Sequence, residues 1–225
     1  MIIVVGGIKG GTGKSTTAAN LAVKRAANGF SVLLVDGDDQ ETTILWAQTR
    51  SDQKPDEKNL TTIKLSGKAA RSEVVKLATN YDDVIIDVGG RDTTTQRAAL
   101  TIADLMLIPL PPRGPDVWTL DKVSDLVEEV TTINPKLRVF AFINRADATG
   151  SDNETSALLI QETQGIELIP IKIGDRKAFP NAHTQGLSVT ELKPKDFKAA
   201  EELEALFSYI FSTNLVLKRN KDNVK

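Results

Sequence analysis

The chain has 225 residues, 40% apolar and 26% charged, which suits one α/β-sized domain with a sizeable core. A formal net charge of -2 gives no global attraction to nucleic acid, so any DNA binding has to come from a local basic patch. No cysteine is present, which excludes disulfides, thiolate zinc sites and cysteine-held iron–sulfur clusters and makes the cytosol the default compartment; no stretch approaches the ~20 apolar residues of a membrane span.

The first predicted strand is the apolar run Ile2 to Val5, which Met1 enters directly, with no room for a signal peptide. A glycine-rich stretch follows, Gly6-Gly7-Ile8-Lys9-Gly10-Gly11-Thr12-Gly13-Lys14-Ser15-Thr16, and then a helix from Lys14 to Asn28 closed by Gly29. Strand, loop and helix in this order form a phosphate-binding loop. Its glycines let successive backbone N–H groups point into one concavity at the positive end of the helix. Lys14 adds a charge for the β/γ-phosphates, and the Ser15 hydroxyl suits Mg²⁺. The ordinary pattern wants glycine at position 8, where this chain has Ile8; the loop is a variant form that carries a second lysine, Lys9.

Further along, Val32 to Val35 reads as a strand that ends in Asp36-Gly37-Asp38-Asp39-Gln40, with acids spaced by two near the phosphate loop. A helix over Thr42 to Arg50, a polar surface loop over Ser51 to Asn59, a strand over Thr62 to Leu65 and a helix over Lys68 to Thr79 come next. The strand Val84 to Ile86 ends in Asp87-Val88-Gly89-Gly90, and Asp87 has the form of the acid that holds Mg²⁺ through water in P-loop NTPases. The remaining elements are a helix over Thr93 to Ile102, a strand over Leu105 to Leu110, a helix over Val117 to Thr132, a strand over Val139 to Ile143, a helix over Glu154 to Thr163, a strand over Leu168 to Ile173 and a helix over Phe197 to Phe211. Alternation of this kind predicts an α/β fold, a mostly parallel twisted sheet of about seven or eight strands flanked by helices. Ligand groups then belong at the carboxyl ends of the strands, where Asn144 and Arg145 lie as candidates for adenine recognition. Pro109, Pro111, Pro112 and Pro115 shape a rigid turn after the fifth strand.

Lys9-Gly10-Gly11-Thr12-Gly13-Lys14-Ser15, Asp36-Gly37-Asp38-Asp39-Gln40 and Ile85-Ile86-Asp87 together resemble the three nucleotide motifs of the ParA/MinD family of deviant Walker A ATPases. The resemblance extends over most of the chain, including Gly186-Leu187-Ser188-Val189 before a terminal helix, and is closest to short plasmid-type ParA partition ATPases. It implies a single P-loop ATPase domain over 1–212 with a basic C-terminal tail over 213–225, and ATP/ADP and Mg²⁺ as cofactors. Gly10, Gly11, Thr12 and Gly13 would line the phosphates and Lys14 would bind the β/γ-phosphates. Thr16 would hold the α-phosphate, and Lys9 would cross an ATP-sandwich homodimer to the partner's nucleotide. Ser15, Asp36 and Asp87 would serve the metal, and Asp38 would orient the hydrolytic water. The family usually has proline at the position of Asp39 and often Pro-Pro at Gly89-Gly90; these departures bear on loop geometry. The chain begins at the first strand, without the N-terminal DNA-reading domain of larger ParA proteins.

The function so implied is an ATP-dependent dimer that binds DNA without sequence preference, with a ParB-like or ribbon-type centromere-binding adaptor, on the nucleoid. With no evident glutamate or glutamine base, hydrolysis is expected to be slow until a partner stimulates it. Lys193, Lys195 and Lys198 at the start of the last helix are candidate phosphate contacts, with the tail residues Lys218, Arg219, Lys221 and Lys225, and Arg176 and Lys177 besides. A MinD-like or cargo-positioning ATPase acting on a membrane or protein complex, a metabolic P-loop synthetase or kinase, and a nucleotide-binding scaffold without turnover are the rival readings. The acidic flank of the last helix, Glu201, Glu202 and Glu204, favours packing on the body over membrane binding. Trp46 and Trp118 read as packing residues, and the lone His183 as surface or core.

Overall fold

The computed structural model describes residues 1–67, 69–91, 93–114 and 118–212. Its first half contains β1 (Ile2–Val5), α1 (Lys14–Ala27), β2 (Val32–Gly37), α2 (Thr42–Gln53), β3 (Leu60–Lys64), α3 (Ala69–Leu77), β4 (Asp83–Val88) and α4 (Thr94–Leu100). The second half contains β5 (Leu105–Leu110), α5 (Leu120–Thr131), β6 (Arg138–Ala146), α6 (Asp152–Glu162), β7 (Glu167–Gly174), α7 (Ala178–Thr184) and α8 (Phe197–Phe211). The seven strands form one sheet in the order β3-β2-β4-β1-β5-β6-β7, and every pairing is parallel.

Continuously apolar strands are explained by helices on both faces. Along β1, Ile3 and Val5 join one core while Val4 joins the other; along β2, Val32 and Leu34 face one way and Leu33 and Val35 the other. The first core takes α1, α7, α8 and Trp46 of α2, and the second takes α3 to α6. Helix α1 lies against the sheet through Ala18, Ala19 and Ala22, small side chains that let its backbone come close to the strands. The apolar side of α8, Leu203, Leu206, Phe207 and Ile210, is buried in the same core, as its acidic flank led us to expect. Among the described residues no helix is long and apolar enough to cross a membrane.

All seven expected strands are present, with β3 starting two residues early because Leu60 already pairs with Val32. Two readings change. Trp118 is 76% exposed: it lies in the turn before α5, its N–H bonded to Gly114, outside the buried stripe Leu120, Val123, Leu126, Val127 and Val130. Helix α7 is not anticipated by the sequence pattern, since it has seven residues with Pro180 in its first turn. Lys68, Pro115 and Val117, and the basic tail with Lys218, Arg219, Lys221 and Lys225, lie outside the described residues.

Candidate nucleotide-binding site

Strand β1 is central, between β4 and β5, so the loop leaving it opens at the middle of the sheet's carboxyl edge. Gly6 N–H still bonds Leu107 O (3.0 Å), and Gly7 N–H donates to the buried Gln96 side chain (3.3 Å). The loop then turns into α1 through Gly13, at φ 96°, where an added Cβ would stand 2.4 Å from Asn144 Nδ2. Only glycine meets both demands. Asn144 Nδ2 in turn donates to Thr12 O (2.7 Å), which ties the end of β6 to the loop. Helix α1 begins with no side-chain cap and no acid in its first turn. Its leading N–H groups and positive dipole end therefore suit an anion. Lys14 is 6% exposed, and its ammonium donates to Lys9 O (2.8 Å). Burial lowers its pKa, against the attraction of Asp87 and Asp38.

The acids come from neighbouring strands. Asp36 and Asp87 are register partners across β2 and β4, and both are fully buried. Asp36 accepts from Asp38 N–H (3.0 Å) and from Ile44 N–H (2.8 Å), so it holds the turn after β2 and the start of α2. Burial raises its pKa, opposed by these amides. Asp87 Oδ2 accepts from Thr43 Oγ1 (2.7 Å), while Oδ1 is buried without a hydrogen-bond partner. Burial pushes this carboxyl up to about 7, with Ser15, Thr43 and Lys14 opposing and Asp36 adding to the push. An orphaned buried carboxylate oxygen, on a carboxyl that the Ser15 side chain also acts on, fits Mg²⁺, which keeps several waters and takes one or two carboxylates plus substrate phosphates. Among the described residues there is no cluster of three or more acids or histidines that would form an all-protein metal cage.

Asp38 stands over this floor, its Oδ1 accepting from Gln40 N–H (3.2 Å). The loop after β4 closes against it: a Cβ on Gly89 would lie 3.0 Å from Asp38 Oδ1, and one on Gly90 would lie 2.4 Å from Gly10 N. The Gly89-Gly90 pair thus lets this loop rest on the phosphate loop with no side chain between.

An open cleft runs over Gly10, Gly11 and Gly13 to Thr16, Asp38 and Gly90, walled by Arg91, Arg145 and His183. From Gly13 and Thr16 a second, more enclosed pocket continues between Asn144, Phe179, Pro180 and Leu206. Arg145 lines both and has a φ of 55°, a conformation costly for a non-glycine residue and concentrated at functional sites. Lys9, Lys14, Ser15, Thr16, Asp36, Asp38, Asp87, Asn144 and Arg145 therefore all converge on one edge of the sheet. Lys193, Lys195 and Lys198 are exposed around the start of α8, whereas Arg176 is bound by Glu202 (2.5 to 3.1 Å). Thr43, Gln96 and Gly90 were not legible as site residues, because each meets a partner distant in the chain.

The fold and loop define a P-loop nucleotide-binding protein. Residues 3–189 match the family model described as the CobQ/CobB/MinD/ParA nucleotide binding domain, and the chain belongs to that family. It is similar to the maintenance of carboxysome distribution protein A of Halothiobacillus neapolitanus, 25% identical over 92% of this chain and 95% of that one. It is also similar to the protein ParA of Rhizobium radiobacter, 28% identical over 90% and 91%. Among solved structures, a plasmid partition protein from Borrelia burgdorferi B31 bound to AMPPNP superposes with a TM-score of 0.72, 21% identity and coverage of 97% and 98%, which shows the shared fold.

Proposed function

We propose that the chain is a Mg²⁺-dependent ATPase whose ATP-bound form is a homodimer that binds DNA without sequence preference and partitions it, released by adaptor-stimulated hydrolysis to ADP. The observation that carries this reading is the buried Lys14 between Asp38 and Asp87, beside an uncapped helix start and an orphaned Asp87 oxygen. The loop amides from Gly10 to Gly13 and Lys14 would stabilise the β- and γ-phosphates, with Thr16 at the α-phosphate. The enclosed pocket beside Asn144 and Arg145, with Phe179, Pro180 and Leu206 in its lining, would receive adenine. Asp38 would orient the attacking water, and Lys9 would reach the partner's nucleotide, making ATP part of the interface. Mg²⁺ would be held by Ser15 and Asp87, with Asp36 behind them, and would supply neutralisation of phosphate charge. Asp36 already spends both oxygens on backbone amides, so its part is to position the loops around the metal.

DNA contact is assigned to Lys193, Lys195 and Lys198 with the tail, and nucleoid association follows from it. A ParB-like or ribbon-type protein is the adaptor this cycle requires. The similarity to a carboxysome distribution protein over nearly the whole chain supports a second reading, in which the same switch positions a protein cargo.

Sedimentation, phosphate release and DNA mobility shifts with ATP and with ADP test the proposal, on the wild type, Lys9→Ala and Asp38→Ala. ATP-dependent dimers and DNA retention are expected from the wild type; loss of dimers is expected from Lys9→Ala, and loss of turnover with retained nucleotide from Asp38→Ala. Equal DNA binding with ATP and ADP would refute the partition cycle, and turnover undiminished in Asp38→Ala would refute the site assignment.

A further inference from the structure

The segment leading into the lysines of α8 is gripped by both helices that leave the nucleotide loops. On the α1 side, Asn20 is 1% exposed and lies a turn beyond Thr16, to whose carbonyl its Nδ2 donates (2.7 Å). Its Oδ1 accepts from Ser188 Oγ (2.9 Å) and from Val189 N–H (2.8 Å). On the α2 side, Thr43 and Ile44 at the helix start are bonded to Asp87 and Asp36. At the other end of α2 the guanidinium of Arg50, 4% exposed, donates to Gly186 O (3.1 Å) and forks onto Glu191 (2.8 and 3.2 Å) and Glu57 (2.6 Å twice). Glu191 closes a capping box on Ser188 N–H (2.9 Å), and the exposed Lys193 follows two residues later.

Resting on the DNA-binding reading above, we propose that Arg50 is a positioning residue through which the nucleotide state of the Asp36 and Asp87 site sets the placement of the Lys193, Lys195 and Lys198 cluster. Helix α2 spans 12 residues and acts as a rod about 18 Å long. Its start is bonded to Asp87, which bound metal would engage, and to Asp36 behind it. Its end is locked by a planar five-donor fork, which holds carboxylates in a fixed plane rather than at an adjustable distance. Displacement of α2 relative to α1 must then carry Gly186 and Glu191 along or break buried, charge-assisted bonds, while Asn20 keeps Ser188 with α1. The short stretch 186–191 therefore registers the relative position of the two helices and passes it to the residues directly following. Trp46 of α2 adds a weaker tie, its Nε1–H donating to Leu187 O (3.5 Å). A purely structural Arg50 would affect folding and leave the difference between nucleotide states alone.

The test is DNA affinity at one fixed salt concentration with ATP and with ADP, on full-length wild type, Arg50→Lys and Glu191→Gln, beside melting curves and ATP affinity without DNA. Glu191→Gln keeps the oxygen that accepts from Ser188 N–H and Arg50 Nη1, but it removes the charge and puts a donor where Arg50 Nη2 was accepted, so it loosens the fork while keeping the cap and carries the test if Arg50→Lys does not fold. The expected result is a wild-type ATP-to-ADP affinity ratio within the about 5–150-fold range of ordinary allosteric coupling. The ratio should fall toward one in folded variants whose ATP affinity without DNA is unchanged. Reciprocity requires that DNA raise the preference for ATP over ADP in the wild type by the same factor, and that this too be lost. A wild-type ratio preserved in a folded variant overturns the coupling and leaves the DNA reading standing. A wild type with no difference between ATP and ADP overturns both.

Discussion

Replacement of Asp87 by asparagine should stabilise the protein in the absence of nucleotide and metal. The Asp87 carboxyl rises from 3.8 to about 7 through burial, so at pH 8 the metal-free protein holds a charge in a buried site whose Oδ1 has no hydrogen-bond partner. At about 1.4 kcal/mol per pKa unit, that rise bounds the cost of the charge at roughly 4 kcal/mol. Asparagine keeps an acceptor for Thr43 and carries no charge, but it removes one of the two carboxylates that support the buried Lys14. We expect a net gain of about 1–3 kcal/mol, which for a chain of this size is about 2–10 °C in Tm. Because the folded-state pKa lies above the unfolded one, the stability conferred by neutral Asp87 is complete below about pH 4 and is lost as pH rises through about 7. The gain from Asp87→Asn should accordingly be present at pH 8 and vanish near pH 4. Melting followed by circular dichroism in EDTA across this range measures it. Saturating Mg²⁺ and ATP should reverse the order, since ligand at 100 times Kd adds about 2.7 kcal/mol to the protein that binds it. A variant that melts below the wild type at pH 8 in EDTA, or a gain that is the same at both pH values, would refute the reasoning.

Gly90→Ala puts a methyl group 2.4 Å from Gly10 N, where backbone must move, and is expected to cost about 1–3 kcal/mol of stability and weaken ATP binding at least about tenfold; denaturant melts and nucleotide titration check both. Asn144→Ala removes the 2.7 Å bond to Thr12 O and should raise the Kd for ATP by about 5–30-fold, the equivalent of about 1–2 kcal/mol, with less than that lost from unfolding stability in a urea titration. Triple replacement of Lys193, Lys195 and Lys198 by alanine should weaken DNA binding to all sequences alike. It should lower the slope of log affinity against log salt by about 0.9 for each DNA phosphate that these lysines neutralise, while ATP affinity measured without DNA stays as in the wild type.

How much of this was legible in the chain depends on how far apart the cooperating residues lie. The strand ends at Val5, Asp36 and Asp87 were readable because an apolar run cut off by glycine or aspartate is a local signal, and parallel β/α alternation then fixes that all three ends face one way. Trp118 was misread because a tryptophan near a helix start looks like packing until the helix register is known, and the register leaves it outside the stripe of α5. Asn144 was recognised by its place at a strand end, but the donation to Thr12 that makes it a brace for the loop joins residues far apart in sequence. The same holds for Gly90, whose need for glycine comes from Gly10 and not from its own turn.

By itself, then, the sequence determined the ligand class and the family, since a phosphate loop is one contiguous stretch whose glycines, lysines and hydroxyls act where they stand. Only the tertiary structure decided that Asp36 braces α2, that Asp87 is left with a bare oxygen, and that Arg50 joins α2 to the segment before the lysines. Those facts depend on burial and on hydrogen bonds across tens of residues, and neither is set until the sheet has brought the strands into register.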